Sequence, residues 1–299
     1  MSRKVVIVAH GGRPEAHDVL HETVRELAAA GFEVVLHDDD LAETFGEPID
    51  VLREKEGVAD AEVVLVLGGD GTILRAAELT HGTQVPLLGV NLGHVGFLAE
   101  SDRSDLRRTV ERLAAGAYSV QERGVLDVTV RVPGRAEPMV GWALNEATVE
   151  KIDPARMIDV ALEVDGRPLS SFGCDGVVLA TATGSTAHAF SGGGPIVWPD
   201  VDAMLMVPLA AHALFARPVV VGPASSLALE ILPSASSEGL LTCDGRRTVP
   251  LPRGSRVEVR RGPEPVRLAR LDDAPFTDRL VDKFKLPVVG WRQRAAKED

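Results

Sequence analysis

The hydrophobic rhythm of the chain changes once. Up to about residue 115, short apolar runs alternate with helical patterns. Val5–Ala9, Phe32–Leu36, Ala61–Leu67 and Val85–Val90 are aliphatic and β-branched almost throughout, as strands covered on both faces require. Between them, residues 15–30 place Val19, Val24, Leu27 and Ala28 at helical spacing, with Gly31 as the stop. Residues 73–79 and 102–115 read as further helices. Strand alternating with helix predicts an α/β N-terminal domain with a doubly wound parallel sheet, its ligands at the carboxyl ends of the strands.

From Tyr118 onward the period falls to two. Leu126, Val128, Val130 and Val132 alternate with Asp127, Thr129 and Arg131. Residues 160–164 and 167–169 flank Asp165-Gly166 as a hairpin. Short β segments follow at 177–182, 226–232, 239–243 and 255–259. The expectation is a second, mostly β domain of β-sandwich-like build. The domains are drawn at 1–117 and 118–274, with a C-terminal segment, 275–299, whose Phe276–Trp291 stretch is a short helix or loop returning to the first domain.

Composition narrows the function classes. The 299 residues are 45% apolar and 25% charged, with a net charge of −12, so no basic nucleic-acid footprint is expected. Cys174 and Cys243 make neither a disulfide framework nor a Cys-x-x-Cys pair and read as small buried hydrophobes. No run approaches the roughly 20 apolar residues of a membrane span. The apolar run Val5–Val8 is too short for a signal-peptide core. A cytoplasmic protein with no membrane partner is expected.

The chemistry concentrates in glycine turns. Gly68-Gly69-Asp70-Gly71-Thr72 stands between a buried strand and a helix, where main-chain amides converge and the helix dipole favours anions. A carboxylate there would repel phosphate unless it organises a metal ion or takes a proton from an attacking hydroxyl, which is the chemistry of a kinase. An ordinary Asp-Gly turn is the plain alternative. Asn91-Leu92-Gly93-His94-Val95-Gly96-Phe97-Leu98 is a second glycine turn after a strand. Asn145-Glu146 pairs an amide with a carboxylate between apolar flanks and, if buried, requires a polar partner. Asp175-Gly176 leads a strand into Thr183-Gly184-Ser185-Thr186, then Ser191-Gly192-Gly193-Gly194-Pro195. Neither a P-loop nor a Gly-x-Gly-x-x-Gly fingerprint is present.

In combination these motifs resemble the NAD kinase family, from about Val63 to the ending Arg279-Leu280, Lys283-Phe284, Leu286-Pro287-Val288 and Gly290-Trp291-Arg292. The resemblance implies phosphorylation of the adenosine ribose 2′-hydroxyl of NAD to NADP. It further implies ATP or polyphosphate as co-substrate, a divalent metal ion such as Mg²⁺ with its ligands unknown, and self-association to a dimer or tetramer. Asp70 matches the catalytic aspartate, as general base or metal organiser. Gly68, Gly69, Gly71 and Thr72 would cradle phosphates, and Arg75 would neutralise their charge or sit solvated on its helix. Asp70, Gly71, Asn145, Glu146, Asp175, Thr186, Ala187, His188 and Ser191 match the dinucleotide-binding positions. Arg156 and Arg246 join them, against a reading as surface charge. Asp244-Gly245 is a hairpin signal by itself.

One segment departs from the family. The usual Thr-Pro-Thr-Gly-Ser-Thr-Ala-Tyr is here Thr181-Ala182-Thr183-Gly184-Ser185-Thr186-Ala187-His188, and the alanine usual after Ser191 is Gly192. Ala182 frees φ and restores an N–H donor, and His188 replaces an aromatic wall by a group that titrates near neutrality. Looser, more permissive nucleotide binding is expected, with a pH dependence between roughly 6 and 7.5, around the reference imidazole pKa. Two other functions fit parts of the pattern: a non-catalytic NAD(P)(H) sensor, and a lipid kinase resembling diacylglycerol kinases in the Gly-Gly-Asp-Gly loop.

Overall fold

In this computed structural model the described residues are 3–9, 14–37, 50–51, 55–92, 96–102, 105–272 and 274–288. Gly11-Gly12-Arg13, Asp38-Asp39-Asp40, Gly93-His94-Val95 and Gly290-Trp291-Arg292 lie outside them. The chain divides into two compact units. One comprises Met1–Glu122 with Arg267–Asp299, the other Arg123–Val266.

The first unit is built on an eight-stranded sheet. Its order is Asp50–Val51, Phe32–Leu36, Arg3–Ala9, Val63–Leu67, Leu87–Asn91, Val266–Arg270, Ser119–Arg123, with Ser101–Asp102 also paired to Leu87–Asn91. The pairs from Asp50–Val51 across to Val266–Arg270 are parallel. Strand order reverses between Arg3–Ala9 and Val63–Leu67, the switch point at which doubly wound sheets bind ligands. Val63–Leu67 is buried along its whole length, because helices cover both faces of such a sheet. Ile7, Leu65, Leu67, Leu88 and Val90 share a core with Leu20 and Leu27 of the helix Pro14–Ala29 and with Val110 and Leu113 of the helix Leu106–Ala114. A C-terminal helix, Phe276–Phe284, completes the described part of this unit.

The second unit is antiparallel throughout. Two six-stranded sheets enclose one core, in which Val128 and Val130, Leu162 and Leu229 from one sheet meet Val149, Val177 and Leu241 from the other. The strand Gly176–Thr181 is buried on both faces. Val177 and Leu179 point into the shared core, whereas Val178 and Ala180 pack under Ala182, Ala189 and Val197. The segment that carries the Thr-Gly-Ser-Thr turn therefore lies as a lid over the outer face of its own sheet. The expected hairpin at Asp165-Gly166 is present, with φ of 52° and 70°, as a two-residue primed turn demands. Among the described residues, no helix is long and apolar enough to cross a membrane.

Candidate active site

In the first unit the glycine loop leaves the buried strand at the switch point. The following helix starts at Asp70, three residues before the sequence pattern shows it, and runs to Thr80. Gly69 is the extended N-cap, with φ −87° and ψ −172°, and no side chain caps the helix. Gly69 and Gly71 are exposed, and a Cβ on either would meet nothing within 4 Å, so the helix N-terminus faces open space. Gly68 is buried beneath Thr72, whose side chain would collide with any Cβ there. Arg75 sits one turn further along, half-buried.

Asp70 is not a free-swinging carboxylate. The Phe97 N–H donates to its Oδ2 and the Leu98 N–H to its Oδ1, each at 3.1 Å. Gly96 makes this possible, since a Cβ at that position would overlap the Asp70 carboxylate. The second glycine turn, read from sequence as a separate feature, is thus the clamp on the first. With each oxygen accepting one amide, each keeps a lone pair for a proton or a cation.

The second unit holds a different arrangement. Asp244 lies in a hairpin turn, with φ of 51° at Asp244 and 68° at Gly245. Its buried carboxylate accepts the N–H groups of Leu144 at 2.9 Å, Asn145 at 2.7 Å and Glu146 at 3.3 Å, and pairs with Arg247 Nη2 at 2.7 Å. Arg247 in turn lies over the Trp142 ring, 4.5 Å from its centroid. On the other side Thr181 Oγ1 donates to Leu144 O at 2.7 Å and accepts from the Gly184 N–H at 3.0 Å. Gly184 itself presses on the Asn145 main chain so closely that no Cβ would fit. The Asn145–Glu146 main chain is therefore fixed from two sides.

The main chain is fixed, but among the described residues the side chains are not fully satisfied. Asn145 and Glu146 are buried, and Asn145 Oδ1 and Glu146 Oε2 have no hydrogen-bond partner among the described residues. Burial, then the neighbouring Asp244 charge, pushes the Glu146 carboxyl up to about 7, with the His188 N–H acting against it. Burial also raises Asp244, opposed by the three amides and Arg247. The thiols of Cys174 and Cys243 rise to about 12 and about 11 by burial, so both are inert.

The other residues singled out from sequence divide into two groups. His188, Thr186 and Ala187 are half-buried in the turn beside Glu146, with Ser191 exposed just beyond. Asp175 and Arg156 are elsewhere in the unit. Glu146 pairs with Ala180, whereas Asp175 precedes Gly176 at the other end of that strand, about 17 Å away at the usual rise per residue. Asp175 instead pairs with Lys151 at 2.6 Å, and Arg156 is exposed beside Asp153 at 3.5 Å. Arg246 is exposed, and it is Arg247 that reaches Asp244. Of the departures, Ala182 holds φ −56°, within the range a proline ring would impose. At Gly192 an added Cβ would meet Leu209 at 2.6 Å.

A parallel sheet with a carboxylate at its phosphate-type turn, followed by an antiparallel β unit with buried acceptors unsatisfied among the described residues, suits a phosphotransferase with a polar small-molecule substrate. Comparison with known proteins makes this specific. The ATP-NAD kinase N-terminal domain matches residues 5–118 and the ATP-NAD kinase C-terminal domain residues 144–271. The NAD kinase of Thermobifida fusca (strain YX) is 55% identical over 307 residues, covering 100% of this chain and 94% of that protein. Among solved structures, an NAD kinase from Archaeoglobus fulgidus in complex with ATP aligns with a TM-score of 0.72 at 25% identity, over 95% of this chain and 99% of that one. Yeast NADH kinase complexed with NADH has the same fold, with a TM-score of 0.87 at 22% identity over 97% of this chain and 89% of that one. The chain belongs to the NAD kinase family.

Proposed function

We propose that the chain phosphorylates the 2′-hydroxyl of the adenosine ribose of NAD, with ATP as donor, to give NADP and ADP. The observation that carries this reading is the pair of buried acceptors Asn145 Oδ1 and Glu146 Oε2, without a partner among the described residues, on a main chain held by Asp244. Leaving such atoms unpaired costs roughly 1–3 kcal/mol each, so the pocket is built for a ligand that donates hydrogen bonds, as ribose hydroxyls and an adenine amine do. Thr186, Ala187, His188 and Ser191 would line the same ligand.

In the transfer, the 2′-oxygen attacks the γ-phosphorus, the bond to the β–γ bridging oxygen breaks, ADP leaves, and the hydroxyl proton passes to a base. Asp70, oriented by two amides, is the group for that proton or for organising the cation. The open amides at Gly69–Gly71 would hold the donor phosphates, with Gly68 and Thr72 shaping the turn and Arg75 neutralising charge. A divalent ion, Mg²⁺, would neutralise phosphate charge in the transition state. Asp70 would be the protein carboxylate that holds the ion. Polyphosphate in place of ATP would use the same amides.

Self-association belongs to this reading. Asp175 and Arg156, matched to dinucleotide contacts by family resemblance, lie a strand's length from Glu146, so they would serve the pocket of a neighbouring copy in a dimer or tetramer. A cytoplasmic location completes the proposal.

The test is NADP formation from purified protein, Mg²⁺, NAD and ATP beside Asp70→Asn. A fall in kcat of about 10²–10⁴-fold in the variant is expected, the range of a lost acid–base group. Binding of NAD without turnover in the wild type would instead make this chain a sensor.

A further inference from the structure

The Asp70 clamp depends on two amides in a segment with no regular secondary structure, and the structure shows what holds that segment. Arg279, from the helix Phe276–Phe284, donates through Nη1 to Ala99 O at 2.7 Å and Phe97 O at 3.4 Å, and through Nη2 to Glu100 Oε2 at 2.6 Å. Glu100, whose side chain is 2% exposed, also receives Arg270 Nη1 at 2.5 Å and the N–H groups of Leu271 and Asp272 at 3.1 and 3.2 Å. The Phe97 ring lies near Phe276 and Phe284, at centroid distances of 5.9 and 5.8 Å. The Phe97 carbonyl reached by Arg279 and the Leu98 N–H that binds Asp70 Oδ1 belong to one peptide plane. Turning that plane would break both bonds together.

We propose that Arg279, anchored by Glu100, is a positioning residue for the Asp70 carboxylate, acting from the C-terminal helix through the main chain of residues 97–99. Stability alone does not account for it. A buried carboxylate with two guanidinium groups holds a helix no better than well-packed apolar side chains of the same volume. A planar guanidinium aimed at main-chain carbonyls adds orientation. Positional errors of about 1 Å at reacting groups cost on the order of 10²-fold in rate, so the clamp matters to turnover more than to folding. Arg279 touches neither Asp70 nor, by this account, the substrate.

The inference rests on the kinase reading, and two readouts keep their failures apart. In Arg279→Lys, which retains a charge for Glu100 but loses the fork, kcat should fall roughly 10–100-fold while KM for NAD stays within about twofold. Arg279→Met should do the same or more. Arg267→Met, which removes a pair with Glu122 and a bond to Thr83 O in the same unit, serves as a stability control and should keep its kcat. The second readout needs no turnover: hydrogen exchange at the Phe97 and Leu98 amides should accelerate at least about tenfold in Arg279→Lys. Unchanged exchange in a folded Arg279→Lys, or a kcat equal to that of the wild type, would overturn the proposal. A wild type that makes no NADP defeats the kinase reading and leaves the exchange experiment to decide on the clamp.

Discussion

The Asp70 turn and the Asn145–Glu146 pocket both set an acidic side chain against main-chain amides, with opposite outcomes. At Asp70 the carboxylate itself accepts the amides, one to each oxygen, and remains half-exposed beside an open helix N-terminus. In the pocket the amides go to Asp244, and Glu146 is left buried with one orphaned oxygen and a carboxyl raised to about 7. The first arrangement fixes the direction in which a half-exposed carboxylate points. The second keeps a group poorly satisfied until a ligand completes it. The two places thus differ in which carboxylate their main-chain amides reach.

The largest effect on this contrast is expected from Asp244→Ala. It strips the acceptor from three amides and the partner from Arg247, so the unfolding free energy should fall by about 3–5 kcal/mol, the usual cost of breaking a buried charged network. Chemical denaturation would show it, and a loss below about 1 kcal/mol would mean the turn is held by Thr181 and Gly184 alone.

Next is the pH dependence of the pocket. The Glu146 carboxyl moves from its ordinary value of 4.5 to about 7 on folding, so the folded state binds the proton more tightly. That contribution favours folding at acidic pH and is lost as pH rises from about 4.5 through 7. The upper bound is about 3–4 kcal/mol. Glu146→Gln should flatten the stability profile over that window, measured without nucleotide. A profile unchanged by the substitution would show that Glu146 does not titrate there.

The smallest effect sharpens the reading of the family departure. Because Ala182 already holds φ −56° after an extended Thr181, Ala182→Pro should stabilise by about 0.4–1 kcal/mol by restricting the unfolded chain. Destabilisation would mean that the Ala182 N–H has acquired a partner that the proline cannot supply.

Much of this was legible in the sequence. The buried strands of the first sheet and the Asp-Gly hairpins follow from run length and turn chemistry, and the glycine loop stands out where strand gives way to helix. The strand Val266–Arg270 did not. Its Val-Arg-Leu-Ala-Arg pattern suggests a half-solvated segment, yet Arg270 is buried, because Glu100, far along the chain, neutralises it. Asp244 was visible as a turn residue only, since its second role depends on amides about 100 positions away. Arg247 and Trp142 had no local signal, as their stacking joins edge strands of two different sheets. The split between Asp175 and Glu146 is likewise a matter of register, which motif matching does not contain. Glu146, which burial raises beside the His188 amide, was legible only as half of an amide–carboxylate pair.

The most direct measurement is calorimetric NAD binding set beside NADP formation, for Asp70→Asn and Asn145→Ala against the wild type. Asp70→Asn should bind NAD within about twofold of the wild type while losing turnover. Asn145→Ala should weaken binding by about 5–150-fold, equivalent to the 1–3 kcal/mol of a lost buried polar partner. Equal losses of binding in both variants, or undiminished binding in Asn145→Ala, would contradict the division of labour between the two units.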